Sequence, residues 1–152
     1  MAVPVLRVAR LTDRLAEVST FYLEALGFER LASFRDHDGW DGEVLGFAGA
    51  SWHVELVART DGTPAAAGPT AASPAAASPE GSLAPSQEHL LALYFATPAE
   101  YEAALARAAR AGASSVPSHN PYWDRLGRTF TDPDGWRVVL VNSPWPRPAK
   151  SG

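Results

Sequence analysis

Residues 52–57 read Trp-His-Val-Glu-Leu-Val, and residues 136–141 read Trp-Arg-Val-Val-Leu-Val. The second hexapeptide repeats four of the six residues of the first, 84 positions later in the chain. Short runs of valine, leucine and tryptophan are typical of β-strands, because branched and aromatic side chains pack well on a pleated surface. The two hexapeptides therefore predict one strand that occurs twice, in two copies of a repeated unit.

Two further recurrences surround these strands in the same order. Their offsets are 85 and 83 residues, and they pair Thr12 and Gly27 with Thr97 and Gly112, and Trp40-Asp41 with Trp123-Asp124. Three matches in one order at nearly one offset predict that the chain is a duplication of a single unit.

Each unit is expected to contain one helix between its threonine and its glycine. In the first unit, apolar residues recur at steps of three and four and form one helix face, namely Leu15, Val18, Tyr22 and Ala25. In the second unit, the stretch Thr97-Pro98-Ala99-Glu100 has the composition of a capping box with proline in the first helical turn. Gly27 and Gly112 stand where a left-handed C-terminal cap is favoured.

Strands complete each unit in the order strand, helix, strand, strand, strand. The expected strands are Val3–Leu11, Arg30–Asp36, Glu43–Phe47 and Trp52–Arg59, then His89–Ala96, Ser114–Pro117, Gly127–Thr131 and Trp136–Asn142. Residues 1–152 thus form one α+β domain with unit one at 3–59 and unit two at 88–142. The Ala- and Pro-rich stretch 62–87 is expected to be a mobile tether, because its prolines recur too often for a helix. Residues 143–152 are expected to run extended.

The composition limits the possible functions. The 152 residues carry a net charge of −4, which provides no basic surface for nucleic acid. The chain has no cysteine, so thiolate nucleophiles and cysteine metal sites are excluded. No apolar run approaches the ~20 residues of a membrane span, and the N-terminus lacks the pattern of a signal sequence. We therefore expect a cytoplasmic protein without a nucleic-acid or membrane partner.

Particular motifs connect the duplicated βαβββ pattern with a known family. Phe21-Tyr22 is followed by Leu26-Gly27-Phe28, and Asp132-Pro133-Asp134-Gly135 precedes the last strand. In this order and spacing the chain resembles the vicinal oxygen chelate superfamily, the glyoxalase, bleomycin-resistance and dioxygenase-like proteins. An uncharacterised bacterial branch is similar at Arg7-Val8-Ala9-Arg10, His53-x-Glu55 and Asn120-Pro121-Tyr122-Trp123. The resemblance implies that the eight strands curl into a cup with one small-molecule site.

The resemblance also implies a place for a divalent metal. Metal-binding members catalyse isomerisation, ring cleavage or epoxide opening, and metal-free members sequester drugs. Members take one ligand from the first and one from the last strand of each unit, and here these places fall on Leu6 or Arg7, Glu55, Leu90 or Leu91, and Val139. Because only Glu55 is a ligand type, and one carboxylate binds a divalent ion weakly, we expect no cofactor.

Two alternatives for Glu55 stay open at this point. His53 and Glu55 are two residues apart and point to one face of their strand, so with His89 they could assemble a metal site. Otherwise Glu55 pairs with Arg7 or Arg10, of which only one can share its face, since the arginines are three positions apart. Such a pair either orients a polar ligand or only compensates a buried charge.

A loop in unit two supplies further candidates. Asn120, Tyr122 and Trp123 combine an amide and two aromatic rings with a proline-fixed turn, which is typical of a pocket rim. The alternative is that these residues have a purely structural role and pack where the chain enters a hairpin. Trp123 also has a counterpart in unit one, Trp40.

The sequence as a whole predicts a protein that binds a small organic molecule in a cup depleted of metal ligands, in the manner of bleomycin-resistance proteins. Glu55 is the candidate catalytic residue, and the candidate binding residues are Arg7, Arg10, His53, Asn120, Tyr122 and Trp123. The rival function is a metal-dependent glyoxalase-type lyase or isomerase, or a ring-cleaving dioxygenase. A homodimer is expected, because superfamily units commonly pair across chains and the edges of a curled sheet need cover.

Overall fold

The computed structural model describes residues 2–65, 84 and 86–145. Unit one consists of β1 (Leu6–Leu11), α1 (Leu15–Thr20) with a π-helical continuation (Phe21–Ala25), β2 (Glu29–His37), β3 (Trp40–Gly46) and β4 (Trp52–Arg59). Unit two consists of β5 (Leu90–Tyr94), α2 (Pro98–Arg110), β6 (Ser115–Val116), α3 (Tyr122–Leu126), β7 (Gly127–Thr131) and β8 (Arg137–Val141). The chain therefore has the predicted α+β fold of tandem βαβββ units.

The two units have the same topology. Their sheets have the strand orders β1-β4-β3-β2 and β5-β8-β7-β6. In each sheet the first strand runs parallel to the last, and the remaining pairs are antiparallel. Ala9 is aligned with Glu55 in unit one, and Ala92 with Val139 in unit two. Glu55 and Val139 thus occupy equivalent positions, as the repeat predicts.

Several observed elements differ from the expected ones, and the clearest differences concern β1, β3 and α3. β1 begins at Leu6 rather than at residue 3, and the preceding residues are exposed. β3 begins at Trp40 rather than at Glu43, because its pairing with β4 continues as far as Arg59. Helix α3 was not expected, since five residues are too few to show a helical period.

Helix ends form as the sequence indicates. The Thr97 hydroxyl accepts a hydrogen bond from the Glu100 amide at 3.3 Å, and the Glu100 carboxylate accepts one from the Thr97 amide at 3.0 Å. Gly27 and Gly112 adopt φ values of +74° and +78°, which close the two helices with left-handed residues. Among the described helices, α2 is the longest at 13 residues, and none is long and apolar enough to cross a membrane.

One hydrophobic core serves both units. The π-helical turn after α1 packs against α2, while α1 lies against β3 and β4 and α2 lies against β8. Buried members of the core from both units are Val18, Tyr22, Leu26, Phe28, Leu45, Val54 and Leu56 with Tyr101, Ala104, Ala108, Phe130, Val138 and Leu140. The helices therefore join the two sheets on one side, and each sheet keeps a second face that carries neither α1 nor α2.

The segment between the units is described only at its ends. Ala65 and Ala84 are buried, and the Ala65 amide donates a hydrogen bond to the Asp13 carboxylate. The ends of the expected tether therefore contact the domain, whereas residues 66–83 and 85 lie outside the described residues. In the expected extended tail, the Trp145 ring lies 5.3 Å from that of Tyr94, and residues 146–152 lie outside the described residues.

Candidate ligand site

Strand β4 separates its side chains between the core and the opposite face of the sheet. Val54 and Leu56 are buried in the core against α1. Because side chains alternate along a strand, His53 and Glu55 point away from that core. Arg7 is aligned with His53 in the parallel neighbour β1 and shares their face. We call this surface of unit one, formed by Arg7, Ala9, His53 and Glu55, the helix-free face.

An arginine connects the two candidate residues of β4. Arg7 Nε donates a hydrogen bond to His53 Nε2 at 2.7 Å, and Arg7 Nη1 donates to Glu55 Oε1 at 3.2 Å. The Glu55 side chain is 16% exposed and that of Arg7 is 49% exposed, so the carboxylate is largely covered and the guanidinium reaches solvent. The structure thus decides between the two arginines, and Glu55 pairs with Arg7. The remaining N–H groups of Arg7 can donate to a ligand oxygen.

This arrangement does not fit the divalent metal that the fold family implies. Arg7 stands at the first-strand ligand place and holds a positive charge against Glu55, which a metal ion would have to displace. Within residues 2–65, 84 and 86–145, no three His, Asp or Glu side chains converge in a way that could hold an ion. His89 is hydrogen-bonded to Ser86 at 2.9 Å and lies beside the Trp136 ring. Among the described residues, His53, Glu55 and His89 are therefore not brought together as a set of metal ligands.

Arg10 points to the core side of β1, so of the two arginines that could have shared the face of Glu55 it is the one that does not. Its side chain is 5% exposed. Arg10 Nη1 donates to the Tyr22 hydroxyl at 2.6 Å, and that hydroxyl donates to Asp132 Oδ2 at 2.8 Å. The Arg10 guanidinium also lies 4.2 Å from the centre of the Trp136 ring. The two motifs that carried the family resemblance, Phe21-Tyr22 and Asp132-Pro133-Asp134-Gly135, therefore touch each other across the two units.

The Asp132 carboxylate organises its own turn as well as this contact. Asp132 Oδ1 accepts hydrogen bonds from the amides of Asp134 at 3.0 Å and Trp136 at 2.9 Å. Burial raises the pKa of Asp132, against the opposing effect of the hydrogen bond from Tyr22. Burial likewise holds the pKa of the Tyr22 hydroxyl well above its usual value. These groups join the units, and none of the described hydrogen bonds links their side chains to Arg7, His53 or Glu55.

Unit two fills the equivalent face of its own sheet. Val139 and Thr129 lie on that face and are buried. The segment 117–126 packs against it: the Ser118 hydroxyl contacts that of Thr129, and Arg137 Nη1 donates to the Pro117 carbonyl at 2.9 Å. Unit two therefore has a covered face where unit one leaves the Arg7 guanidinium half exposed.

The remaining candidates belong to this covering segment. The Asn120 side-chain oxygen accepts a hydrogen bond from the Tyr122 amide at 3.0 Å, which turns the chain into α3. The Tyr122 and Trp123 rings meet edge to face, 5.1 Å apart. Among the described contacts, none joins Asn120 or Trp123 to Arg7, His53 or Glu55, whereas Arg7 contacts both His53 and Glu55.

Sequence reasoning missed a set of aromatic residues around an apolar cavity of about 410 Å³. The cavity lies between the units and is lined by Phe47, Trp52, Ala92, Leu93, Tyr94, Phe95 and Trp145. These side chains come from the β3–β4 turn, the start of β4, β5 with the residue after it, and the tail. Because these segments are far apart in the sequence, no local sequence pattern could have predicted that they meet. One feature of the sequence could have indicated this cavity, namely a tryptophan, Trp145, that lies outside both units. In the structure Trp145 is 71% exposed.

Comparisons with known proteins agree with this architecture. Residues 6–57 match the model of the YycE-like N-terminal domain, and residues 88–142 match that of the YycE-like C-terminal domain. The uncharacterized protein YycE of Bacillus subtilis is 33% identical over 138 residues, covering 91% of this chain and 87% of YycE. A crystal structure of Bacillus subtilis YycE, described as a protein of unknown function, superimposes with a TM-score of 0.73, covering 97% of this chain and 93% of that one.

More distant structures share the fold alone. The glyoxalase I of Leishmania major is 15% identical, with a TM-score of 0.61 over 93% of this chain and 87% of its own. TnmS3, an antibiotic binding protein from Streptomyces sp. CB03234, is 21% identical, with a TM-score of 0.56 over 93% of this chain and 97% of its own. Because both family models and most of YycE align with it, the chain belongs to the YycE-like family of the vicinal oxygen chelate superfamily.

Proposed function

We propose that the protein binds a small, partly aromatic organic molecule without a metal ion, as a homodimer. The observation that carries this proposal is the Arg7 guanidinium, which stands where metal-binding relatives hold a ligand and is fixed by His53 and Glu55. A half-exposed guanidinium with free N–H groups recognises ligand oxygens directly and strongly. It supplies a fixed positive charge in place of a metal ion.

A cavity that none of Arg7, His53 and Glu55 lines, together with one structural neighbour, supports small-molecule binding by this chain in general. An apolar cavity of about 410 Å³ with aromatic walls lies within the size range of small-molecule pockets. The neighbour TnmS3 is an antibiotic binding protein with this fold, so the fold accommodates binding as a function. Within the proposal, Glu55 positions the Arg7 guanidinium through their hydrogen bond.

The proposal is tested by native mass spectrometry of the purified chain, with elemental analysis of the same sample. We expect a small organic molecule to co-purify, and well under one equivalent of divalent metal per chain. In Glu55→Gln, the amide still accepts a hydrogen bond from Arg7 but no longer holds its charge. We expect the affinity for the co-purified molecule to fall about tenfold, or ~1.4 kcal/mol, with no change in metal content.

The experiment includes a matched control variant, and it has a distinct expected result for the rival function. Glu102→Gln removes an exposed carboxylate on α2 and should leave the affinity unchanged. About one equivalent of metal in the native chain, lost in Glu55→Gln, would favour the metal-dependent lyase, isomerase or dioxygenase instead. Turnover of the hemithioacetal of methylglyoxal and glutathione after metal addition would point to a glyoxalase.

A further inference from the structure

The second arginine of β1 borders a cavity that includes no residue of the Arg7, His53 and Glu55 cluster. The cavity has a volume of about 300 Å³ and lies between β1 of unit one and β5 of unit two. Its apolar walls are formed by Val8 and Ala9 on one side and by Leu90 and Leu91 on the other. Its polar lining consists of Arg10, Glu88, His89 and Trp136. We call it the inter-unit cavity.

Two hydrogen-bond donors at this cavity have no acceptor. Arg10 Nε and Trp136 Nε1 are buried, and within residues 2–65, 84 and 86–145 they are the only buried side-chain nitrogen or oxygen atoms without a hydrogen-bond partner. Both belong to residues that line the same cavity, and the guanidinium of one is stacked on the ring of the other. Because a buried N–H group without an acceptor costs free energy, two such groups on residues that line one cavity favour a ligand that brings an acceptor oxygen to them.

The surrounding charges favour a neutral oxygen over a carboxylate. The charge of Arg10 is already compensated by Asp132, whose Oδ2 lies 3.8 Å from Arg10 Nη1. Glu88 adds a second carboxylate to the surroundings, half exposed and 3.8 Å from His119. An anionic ligand would therefore meet more negative than positive charge, whereas a carbonyl oxygen needs only the two donors.

We propose that the inter-unit cavity binds a small planar molecule through a neutral carbonyl oxygen, which accepts hydrogen bonds from Arg10 Nε and Trp136 Nε1. The apolar part of the molecule packs against Leu90 and Leu91. The volume lies at the lower end of the range for small-molecule pockets, so the ligand is of the size of a single substituted ring. The proposal is independent of the proposed function, since neither Arg7 nor Glu55 takes part.

The test is a titration of the ¹⁵N-labelled full chain, followed by nuclear magnetic resonance. Benzamide and benzoate are the two probes, because they have nearly the same shape and differ in charge. The five tryptophans give five indole N–H signals, and a buried arginine gives an Nε–H signal. We expect benzamide to shift the signals of Trp136 and Arg10 and to bind more tightly than benzoate.

Two variants measure the contribution of the indole donor. Trp136→Phe keeps an aromatic ring under Arg10 and removes the N–H group, and we expect the affinity for benzamide to fall about fivefold, as for the loss of one hydrogen bond. Trp40→Phe is the control. Trp40 lies beside Arg59 in unit one and does not line the inter-unit cavity, so this substitution should leave the affinity unchanged.

Each contrary result overturns the proposal. Benzoate binding as tightly as benzamide would show that the cavity selects negative charge. Shifts confined to Trp52 or Trp145, or no shift of Trp136 with either probe, would show that the two donors do not bind a carbonyl. The wild-type titration decides these outcomes even if Trp136→Phe does not fold, and none of them bears on the Arg7 cluster.

Discussion

Glu43 and Glu55 are glutamates of neighbouring strands that point to opposite faces of one sheet. Resemblance to a family singled out Glu55, yet Glu43 has more partners: it is buried and accepts hydrogen bonds from Ser19, Arg30 and Arg35. The pairing of Glu55 with one of two arginines was predictable from alternation along β4. The partners of Glu43 were not, because they come from α1 and β2, whose register the sequence does not fix.

Glu43 should make stability depend on pH. Burial raises the pKa of Glu43, but the hydrogen bonds from Ser19 and Arg30 outweigh it and lower the pKa below the ordinary value of 4.5. A carboxyl group with a lowered pKa stabilises the fold above its unfolded-state pKa and loses this effect as the pH falls through its folded-state pKa. We expect Glu43→Gln to lower the free energy of unfolding by ~1–3 kcal/mol at neutral pH.

Urea denaturation of both proteins between neutral and acidic pH measures this effect. The difference in unfolding free energy should shrink once the pH drops below about 4.5. Glu102→Gln, on an exposed position of α2, serves as the control and should change stability little at any pH. A difference between Glu43→Gln and the native chain that is the same at all pH values would contradict the assignment.

At the scale of elements, local signals predicted some structures and missed others. Strands β4 and β7 have the expected bounds, and α2 begins and ends as its capping box and glycine indicate. The π-helical turn after α1 was not predictable, because its one extra residue leaves Val18, Tyr22 and Ala25 on one face in either kind of helix. The Asn120 side chain begins helix α3 by accepting a hydrogen bond from the Tyr122 amide. In the sequence Asn120 is only one polar residue before a proline, so this role was not predictable.

The capping box of α2 allows a test of how much one helix end contributes. Thr97→Ala removes the hydroxyl that accepts from the Glu100 amide, so the free energy of unfolding should fall by ~1 kcal/mol. Thr20→Ala is the matched control, since the Thr20 hydroxyl only donates back to the Ala16 carbonyl within its helix. Thermal unfolding of both variants compares them, and equal losses would mean that the cap itself contributes nothing.

At the scale of the whole molecule, the candidate site is less symmetric than the duplicated sequence. The repeat predicted Glu55 and Val139 at equivalent places, and the structure puts them there. It could not predict that residues 117–126 would cover the second face, because Asn120, Tyr122 and Trp123 suit a pocket rim and a packed turn equally well. The contacts between the units could not be predicted from the sequence either, because they depend on how the two sheets pack against each other and not on either sheet alone.

The proposed homodimer is supported by surfaces that the described residues of one chain leave exposed. β2 is an edge strand whose residues are all exposed except Phe34, and an edge strand with unpaired backbone groups favours pairing with another chain. Large apolar side chains are also exposed at Val3, Val5, Leu6, Leu31 and Trp145. We expect light scattering at micromolar concentration to give twice the chain mass of 16.2 kDa. A mass of one chain over the whole concentration range would refute the dimer.

The hydrogen bond between Tyr22 and Asp132 has a consequence for how this gene can change. Each residue belongs to one half of the duplication, yet each is buried against the other, at 2.8 Å. A substitution in one half alone removes a hydrogen-bond partner from a buried polar group in the other half. The two halves of the duplicated gene therefore cannot drift independently at these positions, and mutations fixed in one copy constrain those that the other copy can accept.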